Sequence, residues 1–181
     1  MEDDRKVIVA CKAGDVNRYR YLVDKYKKRA YYTALMFTHN PEDALDLSQE
    51  AFYRAYKALN RFDEKGEFYG WFYRILKNVC LNFIRQKNKE KGMVLADNDT
   101  LKIDIDDMPD RIFEKNENNR ILWAAINHLN KDHKEIIMLK EFNNCSYKEI
   151  AESLNIPIGS VMSRLYYARK RLLTLLEGLY D

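Results

Sequence analysis

Apolar residues recur at three- and four-residue spacing through most of this chain, which is the pattern of helices that pack by one face. The segment HNPEDALDLSQEAFYRAYKALNRF shows it best, because Asn40 can cap a helix and Pro41 fits the first helical position. At about 100° per residue, one side of a helix over residues 41–60 is predicted to pack in a core: Ala44, Leu45, Ser48, Ala51, Phe52, Ala55, Ala58 and Leu59. The other side, available to a partner or simply to water, carries Asp46, Gln49, Glu50 and Tyr53.

Two further helices flank this one. The preceding segment, VNRYRYLVDKYKKRAYYTALMF, has an apolar stripe formed by Tyr19, Leu22, Val23, Tyr26 and Ala30. After a short loop, FDEKGEF, the segment FYGWFYRILKNVCLNFIRQKNKEK has a stripe formed by Phe72, Ile75, Leu76, Val79 and Phe83. These helices predict a first helical domain over residues 1–91.

Helical patterns resume after a gap and predict a second, smaller domain over residues 113–181. In DHKEIIMLKEF, Asp132 and Glu135 stand in the N-cap and N3 relation. In SYKEIAESL, Ser146 and Glu149 form a capping box, and the following NIP sequence ends that helix and starts another.

The last helix has two distinct faces. Val161, Leu165, Ala168 and Leu172 predict its buried side. The opposite arc carries Ser160, Ser163, Arg164, Tyr167, Lys170 and Arg171. Two angled helices with such a second member predict a helix-turn-helix that can enter the DNA major groove. The alternative is an ordinary helical hairpin with a solvated polar face.

Composition agrees with an all-α protein, since the 181 residues include only six Gly and three Pro. The net charge is +3, but residues 97–117 hold eight acidic and three basic side chains. The remainder is therefore clearly basic, which suits either a polyanionic partner or plain solvation of helix faces. Residues 92–112 lack periodicity and are predicted to be a flexible acidic linker.

Little in the sequence indicates catalysis. The three cysteines and three histidines are scattered, and there is no glycine-rich phosphate loop, so we expect no enzyme activity, metal or other cofactor. No stretch approaches the about 20 apolar residues of a membrane span, and we expect a cytoplasmic protein.

Several motifs go beyond these patterns. SYKEIA, IPIGSV and SRLYYAR resemble region 4 of bacterial RNA polymerase sigma factors of the extracytoplasmic-function (ECF) class. EDALDLSQEAFYRAYKALNRF resembles region 2.2 of the same family, and FYGWFYRILKNVCLNFIR resembles regions 2.3 and 2.4. The resemblance implies a dissociable initiation factor whose partners are core RNA polymerase, promoter DNA and an anti-sigma factor.

The resemblance also implies three sets of binding residues. Core-polymerase binding would fall on Asp46, Leu47, Gln49, Glu50 and Tyr53. Recognition and melting of the -10 element would fall on Asn60, Arg61, Phe62, Lys65, Trp71, Tyr73, Arg74, Lys77 and Asn78. Binding of the -35 element would fall on Ser160, Ser163, Arg164, Tyr167, Lys170 and Arg171. For Trp71 and Phe72, packing in the core is the favoured alternative to stacking on DNA bases.

The sequence departs from the family where DNA-contacting cations are common, since Met162 and Tyr167 occupy such positions. Weaker phosphate attraction or a different -35 sequence is expected. The competing hypothesis is a helix-turn-helix regulator that binds duplex DNA and never contacts core polymerase. The DALDLSQEAF face discriminates, because such a regulator has no need of it.

Overall fold

The computed structural model describes residues 3–90 and 117–180, so the predicted linker at residues 92–112 lies outside the described residues. All regular structure in the described ranges is helical, which confirms the all-α prediction. The helices are α1 (Asp4–Lys12), α2 (Tyr19–Thr38), α3 (Pro41–Ala58), α4 (Phe68–Glu90), α5 (Glu117–Asn127), α6 (Lys131–Ile137), α7 (Tyr147–Leu154) and α8 (Ile158–Tyr180). We call α1–α4 the first bundle and α5–α8 the second bundle.

Local capping chemistry sets most helix boundaries. The Asn40 side chain accepts a hydrogen bond from the Asp43 backbone N–H at 2.9 Å, and Pro41 begins α3 as predicted. The Ser146–Glu149 capping box at the start of α7 is confirmed, with both reciprocal hydrogen bonds present. Asn155 ends α7 with φ of 53°, a left-handed conformation that asparagine tolerates well.

The predicted cap of α6 is wrong by two residues. Asn130, and not Asp132, is the N-cap, and its side chain accepts a hydrogen bond from the His133 backbone N–H at 2.9 Å. Asn130 can do this because its backbone is extended while its side-chain oxygen reaches the first turn. After Ile137 the helix widens into a π turn, Met138–Phe142, before α7 begins.

Aromatic side chains fill the core of the first bundle. Phe52 of α3 stacks on Phe72 of α4 with ring centroids 4.4 Å apart, which confirms the core position of Phe72. Tyr19 of α2 donates its hydroxyl hydrogen bond to the Phe52 carbonyl at 2.8 Å. Among the predicted core residues of this bundle, Leu45 is exposed, at 50%, whereas Val23, Ala58, Ile75 and Phe83 are partly buried.

In the second bundle, α8 packs against α5, α6 and α7. Val161, Leu165 and Ala168 are buried as predicted, whereas Leu172 is only partly buried. The two bundles also contact each other, since α4 packs directly against α7. The candidate surfaces must therefore be judged with both bundles in place.

Candidate polymerase-binding and nucleic-acid-binding surfaces

The residues predicted to bind polymerase form one connected patch on α3, which we call the α3 surface: Asp46, Leu47, Gln49, Glu50 and Tyr53. Asp46 and Gln49 are exposed, and Tyr53 is 57% exposed. Glu50 accepts a 2.7 Å hydrogen bond from Arg54 one turn later, which orients its carboxylate along the helix. Leu45 extends this patch with an exposed apolar side chain that sequence periodicity assigned to the core.

The residues predicted to read the -10 element do not share one exposed face. Exposed side chains are those of Asn60, Arg61, Lys65, Arg74 and Asn78. Phe62 is buried, and Trp71 is partly buried against it with ring centroids 5.2 Å apart. The Trp71 indole therefore packs on the core, as the favoured alternative expects, and its ring is not fully exposed for stacking on a base.

Tyr73 and Lys77 face the second bundle. The Tyr73 hydroxyl donates a 2.7 Å hydrogen bond to Glu135 of α6, and the Lys77 ammonium pairs with the same carboxylate. Burial, reinforced by this carboxylate, raises the pKa of Tyr73 well above its ordinary value, so the phenol stays protonated. In this arrangement Glu135 engages both side chains, and Tyr73 is fully buried whereas Lys77 keeps part of its surface exposed.

The loop between α3 and α4 is held by a residue that sequence patterns did not identify. Lys12 of α1 donates hydrogen bonds to the Phe62 carbonyl and to the Glu64 carboxylate, both at 2.9 Å. Asp63 accepts from the Lys65 backbone N–H at 3.0 Å and tightens the same loop. A lone lysine in a short amphipathic segment gives no sequence signal of this role, because its partners lie about fifty positions away.

The polar arc of α8 lies on the opposite side of that helix from its core contacts. We call it the α8 surface, and its members are Ser160, Ser163, Arg164, Tyr167, Lys170 and Arg171. Ser163, Lys170 and Arg171 are exposed, and Tyr167 is 60% exposed and packs edge-on against Tyr166. Arg164 is half-buried and lies 3.3 Å from Asp132, so its guanidinium is partly neutralised. Arg169, beside this surface, is bound to Glu141 at 2.6 Å.

A buried cation distinguishes the interior of the second bundle. Lys134 is only 7% exposed, and its ammonium donates a 2.9 Å hydrogen bond to the Asn127 side chain. Burial lowers the pKa of Lys134 to about 8, because the charged form loses hydration. The group lies in a small cleft between the bundles that also borders Phe37 and Lys77.

Comparison with known proteins decides the family. Residues 22–90 match the Sigma-70 region 2 family, and residues 119–172 match the Sigma-70 region 4 family. The RNA polymerase sigma-H factor of Pseudomonas aeruginosa is 31% identical over 177 residues, covering 93% of this chain and 91% of that protein. The chain belongs to the ECF sigma factors. It is therefore a non-enzymatic initiation factor that associates with RNA polymerase for promoter-specific transcription.

A second relative and two solved structures agree with this chain in length or fold. The ECF RNA polymerase sigma factor SigW of Bacillus subtilis is 30% identical over 175 residues, covering 93% of this chain and 94% of that protein. Among solved structures, CnrH in complex with the cytosolic domain of CnrY superposes with a TM-score of 0.69 at 22% identity, covering 97% of each chain. The sigma factor RpoE of Bartonella quintana, in complex with the anti-sigma factor NepR, gives 0.64 at 22% identity, covering 88% of this chain and 96% of that one. Among the described residues, no helix is both long and apolar enough to cross a membrane.

Proposed function

We propose that the two bundles of this sigma factor divide promoter recognition between them. The first bundle binds core polymerase through the α3 surface and reads the -10 element with α4 and the loop before it. The second bundle reads the -35 element with the α8 surface. The observation that carries this proposal is the segregation of α8: four of its six predicted -35 residues are exposed (Ser163, Tyr167, Lys170 and Arg171), and the opposite side of the helix is packed in the core.

The chemistry of the α8 surface suits duplex DNA. Lys170 and Arg171 can neutralise phosphates, and Ser163 can donate to base edges or phosphate oxygens. Met162 and Tyr167 are exposed where cations are common in the family, at 55% and 60%. We expect apolar or aromatic contacts with thymine methyl groups to replace some of the phosphate attraction there.

The first bundle offers both exposed cations and a fixed loop for an unstacked strand. Arg61, Lys65 and Arg74 are exposed around the loop, and Asn78 can read the edge of an extruded base. Tyr73 and Lys77 become available to DNA only when they leave Glu135. The proposed -10 site is therefore incomplete while the bundles are in contact.

Run-off transcription with purified core polymerase and fragmented genomic DNA tests the proposal. The full chain should produce discrete transcripts that core enzyme alone does not. Combined Asp46→Ala and Gln49→Ala substitution should abolish core binding while leaving duplex DNA binding intact. The matched control is Asp24→Ala, an exposed carboxylate on α2 outside the α3 surface. Core binding that survives the paired change would remove the α3 surface from the proposal.

The -35 assignment has its own test. Tyr167→Arg should tighten binding of promoter duplex and steepen its salt dependence by about one phosphate contact. Deleting the upstream element from the template should cancel that gain. A gain that persists without the upstream element would place α8 elsewhere on the promoter.

The proposal also includes a protein partner and a cellular location. CnrH and RpoE are both found with partner proteins, and we propose that this chain likewise binds an inhibitory protein. Because bacterial RNA polymerase acts in the cytoplasm, we place the protein there. A two-hybrid screen of a genomic library should return a binder whose addition blocks run-off transcription, and a binder without inhibitory effect would not satisfy the proposal.

A further inference from the structure

The first helix of the chain contacts the loop that joins α3 to α4, residues 59–67, which we call the reading loop. The match to the Sigma-70 region 2 family begins at residue 22, so α1 lies before it. α1 is itself firmly held, because Val7 is fully buried and Asp4 pairs with Lys25 of α2 at 2.6 Å. A side chain at the end of this helix therefore starts from a fixed backbone.

Lys12 is the last residue of α1, and its side chain reaches the middle of the reading loop. Its ammonium donates hydrogen bonds to the Phe62 carbonyl and to the Glu64 carboxylate, both at 2.9 Å. The Lys12 side chain is 21% exposed, and charge-assisted hydrogen bonds of this kind are roughly twice as strong as neutral ones. Two oxygen atoms of the loop are thus fixed relative to α1.

The internal hydrogen bonds of the reading loop shape a turn but do not orient it on the bundle. The Lys65 backbone N–H donates to the Asp63 side chain at 3.0 Å, and the Gly66 N–H donates to the Asp63 carbonyl at 2.9 Å. Both bonds stay within four consecutive residues. Orientation comes from contacts outside the loop, namely the packing of the buried Phe62 ring and the two hydrogen bonds of Lys12.

The far end of the reading loop is held differently, by the second bundle. The Glu67 backbone N–H donates to Glu152 at 2.7 Å, and Lys148 donates to the Glu67 carboxylate at 2.8 Å. Here α7 lies so close to α4 that a Cβ atom at Gly70 would be 2.7 Å from the Glu152 Cβ. These contacts need both bundles together. Lys12 and its two acceptors all belong to the first bundle, so their hydrogen bonds do not depend on where the second bundle lies.

We propose that Lys12 is a positioning residue for -10 recognition, and that it holds the reading loop in the conformation that accepts an extruded base. The inference rests on the proposed -10 function. The exposed side chains of Asn60, Arg61 and Lys65 then project from a backbone that is ordered before DNA arrives. An ordered loop loses less conformational entropy on binding than a disordered one. Lys12 acts through the loop and does not itself contact DNA.

Base discrimination by the holoenzyme tests the proposal. The templates are a promoter recovered by run-off transcription of genomic fragments and its variants with every other base at each -10 position. Lys12→Met keeps an apolar stem but removes the ammonium. It should lower the preference for the best base about fivefold at the position that the loop reads, as expected if the ordered loop falls to roughly a fifth of the population. A wrong base does not enter the loop, so its transcript yield should stay the same.

The matched control is Lys6→Met, the same change at an exposed lysine of α1. It should leave every base preference unchanged. Hydrogen exchange of the holoenzyme should become faster in a peptide covering residues 59–67 with Lys12→Met, and should stay the same in a peptide from α3. Undiminished base discrimination, or unchanged exchange in the reading loop, would overturn the proposal.

Glu64→Ala separates positioning from a direct contact between Lys12 and DNA. Under the positioning proposal it should lower the same base preference by a smaller factor than Lys12→Met, because the Phe62 carbonyl remains as an acceptor. A lysine that contacts DNA would instead bind more tightly once its competing carboxylate is removed. Tighter promoter binding by Glu64→Ala with full base discrimination would therefore rule out the positioning role.

Two variants of the loop itself separate this inference from the proposed function. If the proposed -10 function fails, the base preferences of the wild type survive both Asn60→Ala and Lys65→Ala. If only the positioning role fails, those preferences fall with Asn60→Ala or Lys65→Ala and persist with Lys12→Met.

Discussion

The buried hydrogen bond between Thr33 and Asn143 can be removed with almost no change of shape. Valine has nearly the volume of threonine, so Thr33→Val keeps the packing but removes the oxygen that accepts from Asn143 at 2.8 Å and lies 3.2 Å from the Tyr69 hydroxyl. Thr33 is 1% exposed and Asn143 is 5% exposed, so water cannot replace the lost partner while the bundles stay docked. An unsatisfied buried polar group costs about 1–3 kcal/mol. We expect Thr33→Val to destabilise the chain by about 2 kcal/mol.

Urea unfolding of a double-mutant cycle measures the hydrogen bond itself. The cycle consists of wild type, Thr33→Val, Asn143→Ala and the double variant, and residues in contact should show a coupling energy of about 1 kcal/mol. Thr38→Val is the matched control, since the Thr38 hydroxyl donates to the Ala34 and Asn40 carbonyls, both in the first bundle. A coupling energy near zero between Thr33 and Asn143, with normal folding of all four proteins, would refute the docked arrangement in solution.

Three further predictions concern the interior. Leu165→Ala should cost about 2–5 kcal/mol in urea unfolding, because the side chain is 1% exposed and holds α8 against its neighbours. Unfolding takes up a proton at Lys134 between about pH 8 and the usual lysine pKa near 10.5, so stability should rise with pH in that window. Lys134→Met should remove this contribution, so the stability of this variant relative to wild type should fall by about 1 kcal/mol from pH 8 to pH 9 in unfolding titrations. Burial raises the pKa of Cys80 to about 12 and of Cys145 to about 11, so a disulfide reagent at pH 8 should react slowly with both thiols until urea is added.

Local sequence chemistry was sufficient to place most helix boundaries. Asn40, Pro41 and the Ser146–Glu149 pair each act on backbone groups within four positions, so short segments specify them without the rest of the fold. The same reasoning identified two opposed faces on α3 and α8. It failed at α6, where two polar residues, Asn130 and Asp132, could each cap the helix and only the preceding chain path selects one.

Contacts between distant segments could not be predicted in this way. Lys12 holds a loop some fifty positions away, and Glu135 meets Tyr73 across 62 positions. Periodicity identifies which residues are buried but not which helix buries them, so it gave no sign that Tyr73 donates a hydrogen bond to Glu135 of the second bundle. Gly70 carried a usable signal: a glycine in a helix whose neighbours are large aromatics indicates a close approach by another element.

The distance between promoter elements requires the docked bundles to separate if the proposed division of labour holds. The names of the -10 and -35 elements put them about 25 base pairs apart, which is about 85 Å at 3.4 Å per base pair. A compact chain of this size, with a radius of gyration of about 16 Å, is only about 40 Å across. The chain from Glu90 to Glu117 could reach about 90 Å when fully extended, so covalent connection permits the span. Docking and two-element binding are therefore mutually exclusive, and whatever bridges both elements must first offset the contacts of Glu135, Glu149 and Glu152.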